Sequence, residues 1–199
     1  GLLEVADCTQ IVDMDESPAA VVRSKRDSSL AKAFQLVKEG KAGAAISAGN
    51  SGAVMAYGIA LLGRISEVKR PAILCHFPSK TGVTALLDAG ANVDSKPGHL
   101  LQYAIMGTVS ARHVQGKQNP VVGLMCNGEE EGKGTDFTRE VFDLLKASNL
   151  NFRGNVEGHD LFETKLDVVV CDGFTGNIVL KSCEATAKIM MKWLKQEIY

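Results

Sequence analysis

The chain has 199 residues, 45% of them hydrophobic and 23% charged, with a formal net charge of -1. That length accommodates one substantial α/β domain, and the mix is ordinary for a soluble globular protein. A net charge this close to zero excludes a bulk-electrostatic nucleic-acid binder, and no apolar run reaches the ~20 residues needed to span a bilayer.

The five cysteines, Cys8, Cys75, Cys126, Cys171 and Cys183, lie far apart, form no C-x-x-C pair and sit mostly in apolar runs. This is the pattern of buried, reduced thiols in a cytosolic protein rather than of a disulfide frame or a zinc site. The opening Gly1-Leu2-Leu3-Glu4 lacks the pattern of a signal peptide. The chain opens in strand-like sequence and closes in helix-like sequence, as a fragment of a longer protein would.

In chain order, Arg23-Ser24-Lys25-Arg26 is a basic cluster, readable equally as a solvated approach to a helix or as a patch for an anionic partner. Ser28 and Ser29 then cap an amphipathic helix, with Leu30, Ala33, Phe34 and Val37 as its apolar stripe and Gly40 as its stop. Residues 44–47 read as a short strand, followed by the loop Ala48-Gly49-Asn50-Ser51-Gly52. A helix over 53–62 is apolar almost all round and is expected to be buried. Pro71 leads into a strand over 72–77 and the turn Pro78-Ser79-Lys80-Thr81-Gly82. Residues 83–87 form another buried strand, ending at Asp88-Ala89-Gly90-Ala91-Asn92.

Pro97 suits the first turn of a helix running to about residue 113. After it come a strand over 120–126, a polar loop over 127–134 and a helix over 136–147. A short strand over 151–156 precedes the strongest buried-strand signal, residues 166–171. The loop Asp172-Gly173-Phe174-Thr175-Gly176-Asn177 and a helix over 178–197 complete the chain. This alternation predicts an α/β fold: a Rossmann-like, three-layer αβα arrangement with a mainly parallel sheet, in one catalytic domain over residues 1–199.

Four strands thus end in loops rich in Gly, Asn, Asp or Ser, at residues 48–52, 88–94, 127–134 and 172–177. In an open parallel sheet the carboxyl ends of the strands line one crevice, where ligands bind. In the first loop, glycines let backbone N–H groups approach an anion, Ser47, Asn50 and Ser51 add neutral donors, and a helix N-terminus follows. The loop matches neither a Walker A motif nor a G-x-G-x-x-G fingerprint, so neither ATP nor NAD is indicated and no cofactor is expected. Lys133 stands between Gly132 and Gly134, a setting that lets its ammonium approach an anion, and Lys96 sits at the mouth of another loop. Asp88 and Asp172 each close a buried strand, where a carboxylate needs partners and can organise loop amides and hydroxyls. His76, His99, His113 and His159 show no metal-ligand spacing, so no metal is expected.

At these loops the sequence resembles the bacterial phosphate acyltransferases, acyl-carrier-protein:phosphate transacylases of phospholipid synthesis. The matching stretches are Arg23-Ser24-Lys25-Arg26-Asp27-Ser28-Ser29, Ala45-Ile46-Ser47-Ala48-Gly49-Asn50-Ser51-Gly52-Ala53 and Leu86-Leu87-Asp88-Ala89-Gly90-Ala91-Asn92-Val93-Asp94. Further along come Lys96-Pro97, Gly154-Asn155-Val156-Glu157-Gly158, and Cys171-Asp172-Gly173-Phe174-Thr175-Gly176-Asn177 with Leu180-Lys181. The family's glycine-rich first strand and its closing helical hairpin are missing here. Gly132-Lys133-Gly134-Thr135 also carries threonine where the family usually has asparagine.

The resemblance implies a fold like those of the phosphotransacetylases and the isocitrate/isopropylmalate dehydrogenases. It implies transfer of a long-chain acyl group from acyl-carrier-protein thioester to inorganic phosphate, in a cytoplasmic homodimer that touches the membrane peripherally. By the same resemblance Lys133 and Asn177 are the catalytic candidates, and Ser47, Asn50, Ser51 and Gly52 cradle phosphate. Asp88, Asn92, Lys96 and Asp172 support the loops. The acidic carrier protein would dock on Arg23–Arg26 or on Arg64, Lys69 and Arg70. The final helix carries Ile189, Met190, Trp193 and Leu194 beside Lys188, Lys192 and Lys195, a stripe read as core or dimer interface ahead of lipid contact. A phosphotransacetylase using acyl-coenzyme A is the nearest alternative, and a membrane-associated scaffold with a vestigial pocket is the alternative from another class.

Overall fold

The computed structural model of the chain describes residues 3–80, 82–163 and 165–198. Gly1 and Leu2 of the expected opening strand, and Thr81 of the expected turn, lie outside the described residues, and residues 3–8 form no strand. The chain divides into two compact units, Gly1–Pro71 and Ala72–Tyr199.

The first unit contains α1 (Pro18–Ser24), α2 (Ser29–Lys38) and α3 (Ser51–Tyr57), the last continued by a π-helical turn over Gly58–Leu62. Helix α2 starts where the serine pair puts it: the Ser28 hydroxyl accepts from the Ala31 amide at 3.2 Å, satisfying one of the free first-turn donors. Leu30 and Phe34 of its stripe, with Ala31, pack with Val21 of α1 and Ala53 and Tyr57 of α3, while Ala33 and Val37 are only half-buried. The buried Tyr57 hydroxyl lies 3.0 Å from the Val21 carbonyl and 2.7 Å from that of Lys25, closing the last turn of α1. Pro18 at the first turn of α1 is the sequence signal for that helix, one the basic cluster beside it obscures.

Two expectations for this unit are corrected. Residues 44–47 form no strand, and Ile46 is 96% exposed. A strand needs a ladder partner, and the described residues of the unit offer no neighbour to this segment; their one bridge joins Gln10 to Ser28. The helix expected to be buried over 53–62 is buried only at Ala53 and Tyr57, while Ile59 and Leu62 are exposed. The unit's core covers one face of this segment, so its all-round apolarity does not translate into all-round burial.

The second unit is built on a five-stranded sheet in the order β1-β2-β5-β3-β4. The strands are β1 (Cys75–Ser79), β2 (Gly82–Leu87), β3 (Val121–Met125), β4 (Asn151–Val156) and β5 (Val168–Val170). All pairings are parallel except the β1–β2 hairpin. Strand alternation sorts the core into two layers. Ala85, Leu87, Val122, Leu124, Val168 and Val170 face α4 (Pro97–Gln115) and α5 (Asp136–Lys146). Leu86, Met125, Val156 and Val169 face the other way, against α6 (Asp160–Glu163) and the start of α7 (Gly173–Ile198). The result is the expected three-layer αβα architecture.

Three details differ from expectation. The strand expected over 166–171 is regular only over Val168–Val170, with backbone bonds from Asp167 and Cys171 to the neighbouring strands at its ends, and that expected over 72–77 runs from Cys75 to Ser79. The polar run 173–177, expected as loop, is instead the first turn of α7. Asp172 explains this: its carboxylate accepts from the Thr175 amide at 2.9 Å and the Thr175 hydroxyl at 2.7 Å, the geometry of an N-cap. Replacing Asp172 with Ala is therefore expected to cost about 1 kcal/mol, read as a lower urea midpoint with an unchanged slope.

Helix α7 has 26 residues, about 39 Å at 1.5 Å per residue, far longer than the strands it packs on. Its distal half projects past the sheet. Trp193 is 62% exposed, and Ile189, Met190 and Leu194 are also exposed, so among the described residues no core covers that stripe.

Candidate functional site

Strands β2, β5, β3 and β4 run parallel, so the segments that follow them leave one edge of the sheet. After β2 and β3 the chain turns into α4 and α5 on one face, whereas after the intervening β5 it turns into α7 on the other. Neighbouring strands whose connections diverge to opposite faces open a crevice at their carboxyl ends. The three segments around it are 88–96, 126–134 and 172–177. The loop at 48–52 belongs to the first unit and follows no strand.

Asp88, fully buried, organises the first segment. Its Oδ1 accepts from the amides of Ile73 at 3.0 Å, Gly90 at 3.1 Å and Ala91 at 2.9 Å. Its Oδ2 accepts from the Asn92 amide at 2.7 Å and the Asn92 Nδ2 at 2.8 Å. The start of α7 is pressed onto this loop: the Gly173 amide donates to the Asn92 carbonyl at 2.9 Å. A Cβ on Gly176 would stand 1.9 Å from the Asp88 carbonyl oxygen, so only glycine fits. Asp88, Asn92, Asp172 and Asn177 are thereby brought into one cluster. Lys96 is exposed at the start of α4, where its amide donates to His99 Nδ1 at 3.2 Å.

Lys133 sits in the segment after β3. That loop is tied to β4 by the Asn155 amide nitrogen, which donates to the Glu130 carbonyl at 2.8 Å. The Lys133 side chain is exposed, and its stem passes over Gly128, where a Cβ would lie 2.9 Å from Lys133 Cγ. Asn177, one turn into α7, is also exposed. The two catalytic candidates therefore stand on segments leaving the adjacent strands β3 and β5.

In the first unit, the Asn50 side chain is engaged internally. Its Nδ2 donates to the Glu16 and Met14 carbonyls at 3.0 and 3.2 Å, and its Oδ1 caps α3 by accepting from Ala53 at 3.0 Å. Gly52 has a packing reason to be glycine, since a Cβ there would meet Pro18 Cγ at 2.7 Å. Ser47 accepts from the Gly49 amide at 3.1 Å, and both Ser47 and Ser51 are exposed. Of the basic cluster, Lys25 turns inward to pair with Glu16 at 2.6 Å, holding that carboxyl below its ordinary range.

Three thiols near the sheet, Cys75, Cys171 and Cys183, are held further toward the protonated form than a free thiol. Burial first, then the Asp172 and Asp88 carboxylates, push the Cys171 thiol well up, and burial does the same for Cys75 and Cys183. Of the thiols expected to be buried, only Cys171 is fully so; Cys75, Cys126 and Cys183 are half-buried and Cys8 is exposed. Sequence spacing also does not show that Glu129, His159 and Asp160 bring ligand atoms within 4.8 Å of one another. They come from the segments after two different strands; Glu129 and His159 are exposed and Asp160 is buried.

Known proteins bear on this geometry. The family model described as "Fatty acid synthesis protein" matches residues 2–199. The phosphate acyltransferase of Pelobacter propionicus is 53% identical over 98% of this chain and 57% of its own length. That of Halothermothrix orenii is 52% identical over 97% of this chain and 58% of its own. The chain thus spans somewhat over half the length of the curated relatives it matches. Among solved structures, the EutD phosphotransacetylase from Staphylococcus aureus aligns with a TM-score of 0.57 at 16% identity, over 78% of this chain and 54% of that one. A branched-chain phosphotransacylase from Enterococcus faecalis aligns at 0.52 and 14% identity, over 76% and 61%; both likenesses speak to fold alone. With a family match over nearly every residue and relatives at about half identity, the chain belongs to the fatty acid synthesis protein family, that of the phosphate acyltransferases.

Proposed function

We propose that this chain carries the catalytic core of an acyltransferase that moves a long-chain acyl group from acyl-carrier-protein thioester to inorganic phosphate. The observation that carries the reading is that the connections after the adjacent strands β3 and β5 diverge to opposite faces and carry Lys133 and Asn177, in a chain of this family.

Phosphate is anionic at neutral pH and needs positioning more than deprotonation. One of its oxygens attacks the thioester carbonyl carbon, and the carbonyl π electrons move to oxygen. Collapse of that intermediate breaks the C–S bond, and the electron pair leaves on sulfur. A thiol with a pKa near ~8.5 leaves with little acid assistance. What remains is electrostatic: the Lys133 ammonium faces the phosphate or oxyanion charge, and the Asn177 amide donates to the carbonyl oxygen as it gains charge. No cysteine of the chain takes part in this scheme. In the first unit Ser47 and Ser51 remain anion-binding candidates, with Asn50 and Gly52 shaping their loop.

The reading takes an acidic carrier protein as donor partner and a cytoplasmic homodimer in peripheral contact with membrane. The exposed apolar stripe of α7 beside Lys188, Lys192 and Lys195 supports such contacts. One assay tests the central claim: release of free carrier thiol from a long-chain acyl-carrier protein by the full-length protein. Release is expected only with phosphate present, and faster than from the matching acyl-coenzyme A. Equal or preferred use of the coenzyme A donor would move the protein to the phosphotransacetylases; no release from either donor would end the reading.

A further inference from the structure

We infer that Gly90 is a positioning residue for the Asn177 amide: its bare Cα is the surface against which that side chain is held. The inference rests on the reading of Asn177 as the donor to the reacting carbonyl. Gly90 has φ +133°, a conformation side chains rarely adopt, and a Cβ there would lie 3.3 Å from Asn177 Cβ and 3.4 Å from both Cγ and Oδ1. Asn177 Cβ, Cγ and Oδ1 all run along this one position.

Neither side of the contact is free to drift. Gly90 is fixed by its amide's bond to the buried Asp88 carboxylate at 3.1 Å. Asn177 is fixed by its helix, whose preceding Gly176 lies directly on the Asp88 carbonyl, and whose first turn is capped by Asp172. Asp88 thus holds both: its carboxylate fixes the platform, and its carbonyl fixes the height of α7 above it. An exposed asparagine amide on a helix ordinarily samples several rotamers. Here one wall of its rotamer space is backbone, so the amide is aimed before substrate arrives. A methyl group on Gly90 would meet the amide at closer than usual contact and turn it.

The test is a double-mutant cycle in the full-length protein, read in kcat and in KM for phosphate. Misplacing a reacting group by an ångström costs up to about 100-fold, so Gly90→Ala is expected to lower kcat about 10- to 100-fold with little change in KM. In an Asn177→Ala background the same substitution should change kcat by less than about twofold, because the group it positions is gone. A loss of equal size in both backgrounds would overturn the inference, as would normal turnover in Gly90→Ala beside a slow Asn177→Ala. Normal turnover in Asn177→Ala would instead strike the assignment of Asn177 itself. Should Gly90→Ala fail to fold, the unmodified protein decides: nuclear Overhauser contacts between the Gly90 α-protons and the Asn177 side chain support the platform, and their absence refutes it.

Discussion

Lys133→Ala is expected to lower acyl phosphate formation about 100- to 1000-fold, the usual loss when one charge-stabilising donor leaves a transition state. Stability should hardly change. The side chain is exposed, and among the described residues its ammonium takes part in no ion pair. Surface substitutions of this kind stay within about 0.5 kcal/mol. The two readouts together carry the argument, because a loop residue that mattered only for folding would shift the urea midpoint along with the rate. Lys133→Arg should recover part of the activity, since it restores charge but not the compact ammonium geometry. Near-normal turnover in Lys133→Ala would remove this residue from the chemistry.

Asp88→Ala should cost about 4 kcal/mol of stability, roughly a thousandfold in the unfolding equilibrium. The substitution leaves five N–H groups, from Ile73, Gly90, Ala91 and twice from Asn92, facing a void. Each unsatisfied buried donor costs about 1–3 kcal/mol, and water entering the space offsets part of the sum. Asp88→Asn is the sharper variant. It keeps an acceptor for three amides but points an NH2 group at the two Asn92 donors, so about half the loss should persist. Urea unfolding measures both. A cost under about 1 kcal/mol for the alanine variant would mean that the loop's donors are satisfied by water without the carboxylate.

The layered α/β class was legible because its cues are local. Apolar runs at 83–87 and 166–171, a serine pair before 30 and Pro97 each act within a few residues, and β2, α2 and α4 appeared where those cues stood. The same locality explains the failures. Residues 44–47 have strand composition, yet a ladder needs a neighbour that composition does not specify. The polar run 173–177 has loop composition, yet Asp172 caps it into helix. The all-round apolarity of 53–62 says nothing about which face finds a partner.

The candidate site divides in the same way. The residue types that make it, the Asp, Asn, Gly and Lys of 88–92, 133 and 172–177, stand plainly in the sequence, because turn and cap chemistry is written in single residues. Which of these segments share an edge was decided only by strand order. Inserting β5 between β2 and β3 sets residues 172–177 beside segments lying ~40 to ~80 positions earlier, an adjacency that depends on pairings between distant strands. Only the tertiary structure shows that Gly90 bears on Asn177 and Gly176 on Asp88, because close backbone contact between distant loops leaves no mark in the sequence beyond a glycine.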